Sequence, residues 1–410
     1  MVTDARAGGK AHAGRAPAGL ARTLRERWET IHSGDVGSWP VLLGLAAIVV
    51  FFTTKNGNFF TAVNFDNLIV QMAGTAAIAI GVVFVLLIGE IDLSIGYVSG
   101  VAGVVVAELQ LPGSGHQLPG PIAILLALLT GVVIGGFEGS FVALFGVPSF
   151  VVTLAGLIAL QGVIIEALPQ GVIVIQNNLI NDVANYHFSQ LGGWIIAIVL
   201  GGGYAVARVS TMVSRRRAGI PLGAWWWQLG KALAVIAIAF VVVAITNHDR
   251  GVPFAGLLMA VLFIAASYLA GRTTFGRHVY AVGGNSEAAR RAGINVARIR
   301  IIVFMISGLM AAVGGIIFSA RLSSVDLNAG GGTILLDAIA AAVIGGVSLF
   351  GGRGQVKGAL LGAALIATIA NGIDLLGYSS AARFIVTGII LLGAVTLDTL
   401  SRRRLAESGR

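Results

Sequence analysis

Glu90, Asp92 and Ser94 share one short stretch, Ile88-Gly89-Glu90-Ile91-Asp92-Leu93-Ser94-Ile95-Gly96, and Glu138 stands amid Gly135, Gly136 and Gly139. A carboxylate placed in lipid costs on the order of 3 kcal/mol or more, so acids inside apolar runs face a cavity, a partner or the interface. Such groups could carry protons or line a gated pathway. The alternatives are a solvated tight turn for Glu90 and Asp92 and a structural hydrogen-bonding acid for Glu138. Glu166, Asp337 and Asp374 sit nearer the ends of apolar runs, where a wet interface accounts for them.

The polar, basic island from Tyr280 to Ile294 has a different chemistry, that of recognition. Asn285 or Ser286 can cap a first helical turn, Glu287 lies at the positive end of its dipole, Arg290 and Arg291 fall toward the negative end, and Gly293 can stop it. A helix of about two turns is marginal alone in water, so it is expected to dock against something. An interfacial helix lying on anionic lipid is the competing reading.

Other chemistries are absent from the sequence. There is no cysteine, and the six histidines fall in polar segments without paired metal-ligand spacing, so no metal site is expected. No G-x-x-x-x-G-K-[ST] phosphate loop is present, and no serine or acid pair has partners at recognisable catalytic spacing. The chain is not expected to be an enzyme or to bind a cofactor of its own.

These groups sit in a chain that is 56% hydrophobic and 11% charged. That is too apolar for an ordinary soluble protein and predicts an all-α polytopic membrane protein, because lipid leaves an open backbone only helices or closed barrels. Apolar runs of about 20 residues are centred near Ala46, Ala79, Val101, Val133, Leu157, Ile198, Ile236, Leu262, Leu309, Ala341, Leu365 and Ile390. Several are interrupted by glycine, which makes about ten to twelve transmembrane helices. With both termini cytoplasmic, Lys55, Arg250, Arg321 and Arg383 are the only members of the 27 Lys and Arg residues left outside, in agreement with the positive-inside rule. The net charge of +9 is then a topology signal, and no nucleic-acid partner is expected.

The expected organisation is a cytoplasmic tail over 1–38, a transmembrane domain over 39–400 with a cytoplasmic loop at 272–299, and a cytoplasmic tail over 401–410. The longest external loop runs from Leu168 to Gly193, too small for a folded domain, so any soluble receptor is a separate chain. The pattern I-G-x-x-x-L-x-x-G occurs at Ile88 to Gly96 and again at Ile344 to Gly352, each where an inward-running span meets the cytoplasm. It fits either an internal repeat with broken helices or glycines that permit close helix contact.

Gly276-Arg277-His278-Val279-Tyr280-Ala281-Val282-Gly283-Gly284-Asn285, with Ala288-Ala289-Arg290 and Gly293-Ile294, resembles the cytoplasmic loop of ribose- and xylose-type permeases of bacterial ATP-binding-cassette (ABC) sugar importers. Gly89 to Gly96 is similar to that family's GGIDLSVG element. Further matches are Ala320 to Ser324, Leu336 to Ala341, Gly345 to Gly354, and Asn371-Gly372 with Leu375-Leu376-Gly377. The resemblance runs from about Phe65 onward and is densest after Gly276.

The resemblance implies a multi-pass permease of the bacterial cytoplasmic membrane, embedded in its lipid, with two copies forming the pathway. A separate ATPase would consume ATP, and a periplasmic or surface-attached binding protein would deliver the monosaccharide. Asn285, Glu287, Ala288, Ala289, Arg290 and Gly293 would form the ATPase-docking helix, like the family's E-A-A-x-x-x-G loop, although the downstream I-x-L-P portion is missing. Docking would push on the spans around Tyr268 and Ile301. Glu90, Asp92, Ser94, Glu138 and Asn371 are the pathway or gate candidates. Glu90 stands where many members have glycine and Glu138 where many have asparagine. The segment from Val209 to Arg250, with Trp225-Trp226-Trp227 at a membrane interface, looks like the xylose-type branch, which makes xylose or another pentose the expected cargo. A proton-coupled secondary transporter using the membrane carboxylates is the alternative.

Overall fold

The computed structural model describes residues 39–407 apart from 114, 116 and 220–224. The expected tail over 1–38 and the final residues 408–410 lie outside the described residues. The described helices are α1 (Trp39–Lys55), α2 (Ala62–Leu87), α3 (Ile95–Glu108), α4 (Gly120–Leu144), α5 (Ser149–Ala167), α6 (Asn178–Asn185), α7 (Gln190–Arg217), α8 (Trp225–Asn247), α9 (Phe254–Arg272), α10 (Thr274–Gly284), α11 (Ser286–Arg291), α12 (Val296–Leu322), α13 (Ile334–Ile344), α14 (Val356–Leu375) and α15 (Ser380–Glu407). Strand β1 (Val172–Val174) pairs antiparallel with β2 (Ser324–Asp326), Ile173 opposite Val325.

Each of the twelve predicted centres falls inside a helix, but the helices are unequal. Among the described residues, eight are long and apolar enough to cross a membrane: α2, α4, α5, α7, α8, α9, α12 and α14. The 14-residue α3 and the 11-residue α13 rise only about 21 and 16 Å, short of a hydrocarbon core of about 30 Å. Irregular backbone over 88–94 and 345–355 adjoins them, and at membrane depth such backbone is tolerated only where protein or a water-filled cavity receives it.

Small residues let the core close. Gly131 and Gly308 lie so near that a Cβ on either would strike the other's carbonyl oxygen; a Cβ at Gly135 would strike the Phe304 carbonyl oxygen, and one at Gly139 would crowd the Phe304 Cβ and the Ile301 Cα. The row Gly131, Gly135, Gly139 thus packs α4 onto α12 within one chain, as small-xxx-small faces do. On the other sides of α12, Gly314 abuts Ile78 and Gly74 of α2, and Gly315 meets the Ser99 carbonyl of α3. Most of α2, α12 and α14 is therefore buried, whereas α5, α7, α8 and α9 leave most of their apolar surface uncovered by the chain, as lipid-facing spans do.

Trp194–Val241 form a compact unit of their own. Within it Gly201 packs on Ile236, the Trp194 and Phe240 rings lie 5.7 Å apart, and Arg208 Nε donates to the Tyr204 hydroxyl at 3.0 Å. The side chains of Trp225 and Trp227, expected at a membrane interface, lie outside the described residues.

At the end of α2 predicted to be external, Asp66 is fully buried and accepts from His187 Nε2 at 2.8 Å and from Arg250 Nη2 at 3.0 Å. Arg250 also reaches Asn67 at 3.0 Å. One of the four exceptions to the positive-inside rule is thus the partner of a buried acid. Replacing Asp66 by alanine is expected to cost about 1–2 kcal/mol, a charged hydrogen-bond value discounted because Arg250 is half exposed. A melting temperature equal to wild type in detergent would show that the cluster contributes nothing.

Candidate functional site

At the end predicted to be cytoplasmic, backbone packs on backbone. Asn285 adopts an extended conformation and its side chain accepts from Ala288 N at 2.9 Å, which caps α11. Gly293, at φ 83°, takes the left-handed conformation that ends the helix, and Ile294 N returns to the Ala289 carbonyl at 3.0 Å. Glu287 reaches Arg291 at 3.2 Å and Arg290 at 3.5 Å, with all three side chains more than half exposed. Of the expected docking residues, Asn285, Glu287, Ala288, Arg290 and Gly293 are exposed, and Ala289 is buried against the protein.

A helix the sequence reading did not separate, α10, precedes this one. Its N-cap is Thr273, whose side chain accepts from Gly276 N, and it buries Val279 and Val282. Gly283 lies so close that a Cβ there would meet the Leu87 carbonyl oxygen and, at 2.7 Å, Gly352 N. Gly352 N donates to that same Leu87 oxygen at 2.9 Å, and the Tyr280 hydroxyl donates to the Gly354 carbonyl at 2.8 Å. Burial pushes the Tyr280 phenol above its ordinary pKa, so it stays a donor at neutral pH. Helix α10 therefore rests at once on the chain leaving α2 and on the loop between α13 and α14.

Those two segments carry the repeated I-G-x-x-x-L-x-x-G pattern. Each leaves its helix through a left-handed glycine, Gly89 at φ 79° and Gly346 at φ 87°. The register differs, because the pattern aligns Gly89 with Gly345, and the next helix begins at Ile95 in one copy and Val356 in the other. The echo marks two similar helix exits meeting at one hub, not residue-for-residue copies.

Just inside the hub, the predicted acids form a closed network. Asp92 Oδ1 accepts from Ser94 N at 3.0 Å, Ile95 N at 3.1 Å and Ser94 Oγ at 2.7 Å, while its Oδ2 accepts from Ser307 Oγ at 2.8 Å. Ser94 Oγ also lies 2.8 Å from Glu138 Oε2. Glu138 Oε1 is buried without a hydrogen bond in space that Gly156 leaves open. Ser149 and Thr153 of α5 bond the Ile91 backbone, Ser149 Oγ accepting at 3.1 Å and Thr153 Oγ1 donating at 3.3 Å. The break is thus stitched to α4, α5 and α12. Asp92, Ser94 and Glu138 are all buried, and none of them lines the polar cavity described below. Glu90 stands apart from the three and pairs with Arg300 of α12 at 3.0 Å.

Asn371 lies elsewhere, exchanging amide bonds with Asn64 at 2.9 and 3.0 Å and donating to Gln71 at 3.3 Å. Gln71 opens onto a polar cavity of about 240 Å³, also lined by Thr75, Arg321, Asp337, Asp374 and Arg383. Arg383 Nη2 and Thr333 Oγ1 both donate to Asp337 Oδ2, at 3.0 and 2.7 Å. Sequence reasoning passed over this set, giving Asp337 and Asp374 to a wet interface. The available signal was that Arg321 and Arg383 are external positive charges that topology does not require.

A family model described as "Branched-chain amino acid transport system / permease component" matches residues 64–395. The chain is 37% identical over 365 residues to the xylose transport system permease protein XylH of Escherichia coli, covering 89% of this chain and 92% of that protein. Identity to XylH of Haemophilus influenzae is 36% over 376 residues, covering 92% and 99%. To the ribose import permease protein RbsC of Escherichia coli it is 33% over 357 residues, covering 87% and 92%. No solved structure matches the chain.

Proposed function

From the premise that the chain belongs to the permease-component family of ABC transport systems, and is therefore a multi-pass membrane subunit rather than an enzyme, we propose that it carries a monosaccharide across the cytoplasmic membrane by alternating access driven by a separate ATPase. The cargo is a pentose, with xylose first. The family description names amino acids, but the relatives spanning nine-tenths of this chain are named for xylose and ribose.

The observation that carries the mechanism is the stack from α11 through α10 to the two helix exits. An exposed, capped helix offers a partner Glu287 and Arg290, and one turn away Gly283 presses on Leu87 and Gly352. A push on α11 moves α10 and, through backbone contacts that have no slack, the ends of α2 and α13. Rigid elements shifting between two packings are how such a push becomes alternate opening. ATP stays with the ATPase, this chain holds no nucleotide, two copies in the lipid bilayer bound the pathway, and a binding protein supplies sugar from outside.

The test is sugar-stimulated ATP hydrolysis in proteoliposomes holding the permease with its co-encoded ATPase and binding protein, against D-xylose, D-ribose, L-arabinose and L-leucine. Stimulation by a pentose is expected. Glu287→Ala is expected to cut it about tenfold or more while leaving the melting temperature unchanged, because the exposed pairs of Glu287 are worth only about 0.3–0.5 kcal/mol each. Stimulation by L-leucine alone, or uptake that follows a pH gradient without ATP, would overturn the reading.

A further inference from the structure

Four basic residues lie outside the predicted cytoplasmic face, and two of them, Arg321 and Arg383, line one cavity. Arg250 is accounted for by Asp66. The cavity is bounded by α2, α12, α13, α14 and α15, at the ends of α12 and α14 and the beginnings of α13 and α15. In the orientation set by the charges, all four of those ends face outward.

Its chemistry is paired and incomplete. Asp337 is almost fully buried and accepts on Oδ2 from Thr333 and Arg383, but its Oδ1 and Arg383 Nε are buried with no hydrogen bond. Arg321 and Asp374 add a second guanidinium and a second carboxylate, both exposed, and Gln71 and Thr75 add an amide and a hydroxyl. Phe318, Ile366 and Ala370 supply an apolar wall. A sugar presents neighbouring hydroxyls that each donate and accept, above a face of C–H bonds. Stripping water from each hydroxyl costs about 1–3 kcal/mol unless it is replaced, so donors and acceptors side by side are what transit requires. The volume of about 240 Å³ falls below the ~300–1,000 Å³ of drug-sized pockets, a scale suited to one monosaccharide.

Resting on the permease reading above, the geometry points to this cavity as the outer sugar-contact site, with Arg321, Asp337, Asp374 and Arg383 receiving the hydroxyls. The site is a transit station: half of its charges are already neutralised in pairs, and its mouth is open.

The absence of cysteine from the chain makes the test direct. Thr75→Cys and Ala370→Cys each place a single thiol on the cavity wall, in proteoliposomes holding the permease with its ATPase and binding protein. A membrane-impermeant methanethiosulfonate reagent added outside is expected to label both thiols, more slowly in the presence of D-xylose, and labelling is expected to stop D-xylose uptake. A second measurement uses Asp374→Asn, expected to change the ratio of D-xylose to D-ribose uptake; an unchanged ratio would count against the assignment. Thiols that do not react, or that react at the same rate with and without sugar and leave uptake intact, would overturn the assignment while wild-type pentose uptake kept the permease reading standing. A wild-type complex that takes up no pentose would instead bring down that reading, and the sugar assignment with it.

Discussion

Replacing Gly283 by valine is expected to abolish uptake while the protein still accumulates in the membrane. A Cβ at this position would overlap the Leu87 carbonyl oxygen and crowd Gly352 N, both of them backbone atoms that no rotamer change can move aside. Overpacking of a close contact typically costs about 1–3 kcal/mol, and here it is relieved only by lifting α10 from the hub. Lifting α10 breaks the route from α11 to the ends of α2 and α13, so ATP hydrolysis and uptake separate. Gly284→Ala serves as the comparison, because a Cβ there meets nothing within 4 Å. It is expected to transport normally. Parallel uptake and ATPase measurements decide: equal uptake by Gly283→Val and wild type would mean that the loop does not act through the two helix exits.

The second large effect is expected at Asp92, with a near-silent neighbour at Glu138. Asp92→Ala strands two backbone N–H groups and the Ser307 hydroxyl in a buried place and leaves the Ser94 hydroxyl only Glu138. At about 1–3 kcal/mol for each stranded group, the loss is a large part of the roughly 5–15 kcal/mol by which a folded chain exceeds its unfolded state. Little folded protein is expected, read by size-exclusion chromatography after extraction. Glu138 differs because Ser94 Oγ has one hydrogen and lies within bonding distance of both acids. With that hydrogen given to Asp92, the link to Glu138 needs a hydrogen from the Glu138 side. An amide N–H supplies one, so Glu138→Gln is expected to fold and transport close to wild type, and Glu138→Ala to be impaired. Folded but inactive Glu138→Gln protein would favour the proton-coupled alternative, since a glutamine cannot relay a proton.

The sequence by itself determined what depends on runs and ends. Twelve apolar segments follow from hydropathy, their orientation from the Lys and Arg residues, and α11 from Asn285, Glu287 and Gly293, because caps and stops act within one turn of their own residue. The family is legible in the order of local motifs. Tertiary structure alone decided which segments are short, because the lengths of α3 and α13 depend on α12 and α14 receiving the backbone beside them. It also decided that Glu90 answers Arg300, 210 positions away by number, that the row at Gly131 packs onto α12 within the chain, and that Gly283 touches Leu87. None of these pairs has a signature of its own, since a glycine reads the same whether lipid, a second copy or a carbonyl oxygen lies beside it. The cavity is the extreme case. Its acids and arginines come from the ends of four consecutive helices, each ordinary where it stands, and they acquire a chemistry only when five helices bring them around one space.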